Sequence, residues 1–161
     1  MTTMNHDVST ALMTGSDLAP ITPFPNFTES GLNRVRQMYA ALVPTRTSLA
    51  VLFALDAAQT AATDQWVSFF IETASAQLIW DQRPTGVLSE QDAVWLLARF
   101  DEAPTLSVMA LLVRVVDEAH RMPTWLPAAV RHRAALFRSA AATATGLTTP
   151  RKDVAYLRLV A

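Results

Sequence analysis

Apolar residues along this chain recur mostly at three- and four-residue spacing, the interval that lines one face of an α-helix. Thr28 reads as an N-cap with Phe27 before it, and Leu32, Val35, Tyr39 and Leu42 repeat at that spacing until Pro44 ends the run. Thr47 is the expected cap of a second helix, with Leu49, Leu52, Phe53 and Ala57 on one face. Asp64 is the expected cap of a third, running to about Trp80. That helix carries Trp66, Val67, Phe69, Phe70, Ile71, Leu78, Ile79 and Trp80 around almost its whole circumference. A helix apolar nearly all round must be buried on nearly all sides, which places this one at the centre of the fold or shares it with another subunit.

Ser89 opens a fourth helix, with Asp92 three residues on imitating a capping box and an apolar run from Val94 towards Phe100. Thr105 caps a fifth, expected to reach about Arg121, whose first half is again apolar nearly all round. Pro123 ends it, Thr124 and Pro127 restart the chain, and Val130, Ala134, Phe137 and Ala141 form the inner stripe of a sixth helix that fades near Gly146. The expected fold class is all-α, a compact bundle of about six helices over residues 28–145. Residues 1–27 show no sustained periodicity and hold Pro20, Pro23 and Pro25, so they read as a flexible or surface-draped tail with Phe24 and Phe27 as anchors. Residues 146–161 read as an extension, in which 153–161 fits either a short strand or a docked helical turn.

Composition supports a packed core in one domain: 161 residues, 51% apolar and 17% charged. The net charge of -1 argues against a protein built around a phosphate backbone. It hides an asymmetry, since residues 1–110 carry 5 basic and 11 acidic side chains and residues 111–161 carry 8 and 3. These read as complementary solvated faces. With no cysteine, disulfides, thiolate nucleophiles and Cys-ligated zinc are excluded. The first basic residue is Arg34, so no signal-peptide pattern is recognised and a cytoplasmic protein is expected. The most apolar stretch, 106–113, is far shorter than the roughly 20 residues that span a bilayer, and no membrane partner is expected.

One segment has chemistry in it. Residues 81–92 lie between the third and fourth helices, with Asp81, Thr85, Gly86, Leu88, Ser89 and Asp92 at positions 1, 5, 6, 8, 9 and 12. The segment resembles the EF-hand family, and more loosely the TerB-like helical domains, over residues 64–100. The resemblance implies a calcium or magnesium site with Asp81, Thr85, Ser89 and Asp92 as ligands and Gly86 allowing the sharp turn. Two positions depart from the pattern: Arg83 puts a cation at position 3, and Asp92 is shorter than the usual bidentate Glu. The loop is therefore read as one that has lost ion binding, with Arg83 lying near Asp81 and Asp92 and taking over part of the ion's charge balance. A paired loop starting at Asp56 and passing Thr60 and Asp64 would lack the glycine.

Other constellations are weaker. Asp117 and His120 share a helical spacing without a second such pair, His132 sits between Arg131 and Arg133, and Trp125 reads as a core plug. The basic group Arg121, Arg131, Arg133 and Arg138 lacks interleaved aromatics, so nucleic acid is not the expected partner. The common hydrolase, NTPase and metalloprotease signatures are absent. The leading expectation is a non-catalytic helical interaction domain that binds a protein partner or itself and needs no cofactor. Trp66, Phe70, Trp80 and Trp95 would supply its contact area and Arg83 would fix the loop. Trp80→Ala would then cost about 3–5 kcal/mol or weaken association. The alternatives are a divalent-cation sensor using Asp81, Asp92 and an acid such as Glu90, and an enzyme without a recognisable motif.

Overall fold

The computed structural model describes residues 28–144, which form six α-helices and no strand. They are α1 (Glu29–Ala41), α2 (Arg46–Ala57), α3 (Asp64–Ser75), α4 (Glu90–Glu102), α5 (Leu106–Glu118) and α6 (Leu126–Ala144). The fold is all-α. The expectations for the tail, its Phe24 and Phe27 anchors, and 153–161 fall outside the described residues.

Each of the first five helices opens on a hydroxyl that accepts a backbone N–H otherwise left without a partner: Thr28, Thr45, Thr63, Ser89 and Thr105. Two of these differ from the expected caps by one or two residues. Thr45, not Thr47, caps α2, because Ser48 lies three residues on and the two exchange hydrogen bonds as a capping box. Thr63 caps α3, and Asp64 becomes its first helical residue, where a carboxylate suits the positive helix end.

The core is organised on α3 and α5, the helix pair in most extensive contact, with α2, α4 and α6 packed around them. These are the two helices whose sequences are apolar nearly all round, and each buries the other. Trp66, Phe70 and Ala74 of α3 and Val108, Leu111, Leu112 and Val115 of α5 are buried. The apolar excess of α3 and α5 is thus largely absorbed within one chain. α1 joins through Leu32 and Tyr39, whose hydroxyl donates to the Ser48 carbonyl at 2.7 Å while its ring meets Phe69 edge-on. Burial raises the Tyr39 pKa above its ordinary value.

A buried carboxylate ties three helices together. Asp56, at the end of α2, accepts from Trp66 Nε1 on α3 at 2.7 Å and from the hydroxyl of Thr105, the cap of α5. Both oxygens are committed to this joint, so Asp56 belongs to the core. α3 does not continue as a regular α-helix to Trp80 either. From Ala76 to Trp80 it widens into a π-helical turn, with Asp81 N–H donating to Ala76 five residues back at 2.9 Å. That turn keeps Leu78 and Ile79 fully buried and leaves Trp80 42% exposed.

Among the described residues no helix is long and apolar enough to cross a membrane.

Candidate functional site

Residues 81–89 leave the π-helical turn, reverse at Gly86 and enter α4. Gly86 has φ +77°, a conformation that L side chains rarely adopt. Its N–H donates to Ile79 O at 2.8 Å, and its own carbonyl accepts from the N–H groups of His120 and Arg121 at 2.9 and 3.2 Å. Leu88 N–H donates to Arg121 O at 2.9 Å, completing a parallel bridge between Val87 and Arg121, and the Leu88 side chain is buried. The segment is therefore paired with the connection between α5 and α6. Trp125 Nε1 adds a side-chain link by donating to Glu90 at 3.0 Å. Trp125 is half-buried against the core, as a plug with one polar tie.

Gly86 carries a test of this pairing. A Cβ there would lie 2.8 Å from His120 Nδ1. Gly86→Ala should cost about 1–2 kcal/mol from the left-handed backbone alone, plus whatever the imidazole cannot relieve by moving. Adding His120→Ala should recover only the contact part, which urea denaturation of the two variants separates.

The two acids expected to face each other across this segment are not equivalent. Asp81 is exposed and lines an open cleft of about 290 Å3 with Thr45, Arg46, Gln77 and Gln82. Asp92 is buried, 3% exposed, and engaged twice. Ser89 Oγ donates to its Oδ2 at 2.6 Å while accepting from its backbone N–H at 3.1 Å, and the Arg46 guanidinium ion-pairs with Oδ1. Arg46 is the first residue of α2 and arrives from 46 positions upstream. Its guanidinium also stands 4.7 Å above the Trp95 ring, which packs edge-on against Phe53. Partial burial lowers the Arg46 pKa from its ordinary value, and a guanidinium still stays charged at neutral pH.

The cation that balances Asp92 is therefore Arg46 and not Arg83. Arg83 is exposed and forms no ion pair with a described residue. It precedes the reversal at Gly86, while Asp92 lies in the first turn of α4. Thr85 and Ser89 are exposed as well, and Ser89 spends its hydroxyl on capping. Asp81, Glu90 and Asp92 are not brought together, and among the described residues no three His, Asp or Glu side chains form a group able to hold a metal ion.

Of the four aromatics expected to form a contact surface, Trp66 and Phe70 are fully buried and cannot face a partner in the folded chain. Trp95 is half-buried beneath Arg46, with Arg99 5.7 Å from the same ring. Trp80 alone of the four is exposed, its ring meeting that of His120 edge-on at 5.6 Å. Asp117 and His120 share no helical face, because α5 ends at Glu118 and Ala119 turns to extended backbone. In the basic group, Arg133 makes a two-pronged pair with Asp101 at 2.8 and 2.6 Å, which holds the Asp101 carboxyl below its ordinary pKa. His132 is exposed between Arg131 and Arg133.

No family model, no curated protein and no solved structure matches this chain.

Proposed function

We propose that this chain is an ion-independent helix-loop-helix domain that acts by protein contact. The observation that carries the reading is the environment of Asp92. An EF-hand-like loop needs its position-12 carboxylate free to turn onto a cation. Here that carboxylate is buried, its charge is balanced by Arg46, and Ser89 occupies its second oxygen. An internal guanidinium thus does for the fold what a bound cation would do, holding the start of α4 against the start of α2 without a ligand. The contact surface assigned to this domain lies beside the same segment, where Trp80 and Arg83 are exposed. A cytoplasmic setting is part of the reading, and pairing with a second copy is one form the contact can take.

Thermal unfolding of the full chain in chelator, and again with millimolar calcium or magnesium, tests the ion-independent half of this reading. A ligand that binds only the folded state at 100 times its Kd adds about 2.7 kcal/mol, roughly 5–15 °C in Tm for a domain of this size. The expected result is one Tm in all three solutions. A rise of that order with either ion would replace this reading with a cation sensor.

A further inference from the structure

α4 and α6 leave an apolar groove between them that no described residue fills. It encloses about 250 Å3 and is lined by Phe100, Pro104, Leu136, Phe137 and Ala140, with the Asp101–Arg133 pair also in its wall. Phe100 and Phe137 meet edge-on at 5.9 Å, and Leu136 is 56% exposed. Residues 138–144 of α6, which include the groove's Ala140, are all exposed.

The geometry points to an occupant from the same chain: residues 153–161, folded back along α6 so that their apolar side chains fill this groove. The groove's size is the first argument, since it falls below the about 300–1,000 Å3 of small-molecule sites. A second copy or a separate protein would need an interface of about 1,200–2,000 Å2, far more than a groove of this size supplies by itself. A tethered segment needs much less, because its local concentration is already in the millimolar range. Reach is the second argument. From Ala144, the last described residue of α6, returning to Leu136 requires about 12 Å at 1.5 Å per residue. Residues 145–153 span up to about 30 Å when extended. Composition is the third. Gly146 and Pro150 favour ending the helix and reversing the chain, and residues 154–160 then bring Val154, Tyr156, Leu157, Leu159 and Val160. The docked segment competes with any outside partner for the groove. This proposal is independent of whether an ion binds near Asp92.

The absence of cysteine allows a direct test in the full chain. Leu136→Cys is combined, in separate variants, with Val154→Cys, Leu157→Cys and Leu159→Cys, and disulfide closure is followed at low micromolar concentration. Ala142→Cys with the same three partners is the control. At 3.6 residues per turn, Ala142 lies on the far side of α6 from Arg133, Phe137 and Ala140. It is also six residues nearer the segment, so tethering alone favours it. Leu136 and Ala142 are both exposed, and neither change enters the core. At least one Leu136 pair is expected to close within the chain about tenfold faster than its Ala142 counterpart. Equal or faster closure of the Ala142 pairs overturns the proposal. A disulfide that forms only between chains also overturns it, and assigns the groove to a second copy.

Discussion

Full-length protein carrying Trp66→Ala is expected to lose about 3–5 kcal/mol of stability, a large share of the roughly 5–15 kcal/mol that holds such a domain together. Trp66 is fully buried, its ring lies 5.9 and 6.3 Å from Phe69 and Phe70, and it sits on the helix at the centre of the core. The truncation opens a cavity and also removes a hydrogen bond donor to Asp56, which is 2% exposed. The two contributions can be separated. Trp66→Phe keeps most of the aromatic volume and loses the indole N–H, so it should cost about 1–3 kcal/mol, the range for leaving a buried acceptor without its donor. Urea denaturation measures both variants. A Trp66→Phe protein as stable as the wild type would mean that Asp56 does not depend on the indole, and the joint between α2, α3 and α5 would have to be explained otherwise.

The second large effect belongs to Arg46. Replacing it by Met keeps an unbranched apolar stem and deletes the charge, leaving Asp92 buried with Ser89 as its side-chain donor. The expected cost is about 1–3 kcal/mol from the unpaired carboxylate, with about 0.5–1 kcal/mol more for the lost stacking on Trp95. The figure stays below the 3–5 kcal/mol typical of breaking a fully buried ion pair because the Arg46 side chain is 41% exposed. Arg83→Met is the matched control. An exposed arginine without an ion pair to a described residue should change stability by no more than about 0.5 kcal/mol. Equal losses at the two positions would remove the distinction between them.

Much of the fold was legible because its causes are local. Thr28, Ser89 and Thr105 cap helices where the spacing of hydroxyl and apolar residues placed them, and Gly86 and Leu88 occupy the turn and the buried position that their residue types demand. The all-round apolar character of the third and fifth helices correctly signalled deep burial. It could not signal that the two bury one another, since the same pattern serves a core and a subunit interface. The π-helical turn was hidden for a similar reason: over five residues, an apolar run fits either helix geometry. That turn moves Trp80 to the surface, so the energetic weight expected of Trp80 falls on Trp66 instead. The charge partner of Asp92 was out of reach of any local pattern. Arg83 is the cation inside the same loop, whereas Arg46 is supplied by packing α2 beside α4, a contact that no spacing rule encodes.

If Arg46 supplies the charge an ion would otherwise bring to Asp92, the two side chains share a coupling energy. A double-mutant cycle of Arg46→Met and Asp92→Asn, followed by urea denaturation, isolates it from the packing each side chain makes elsewhere. A coupling of about 1–3 kcal/mol is expected between the two positions, with additivity when Arg83→Met takes the place of Arg46→Met. Additive losses for Arg46 and Asp92, within about 0.3–0.5 kcal/mol of zero coupling, would contradict it.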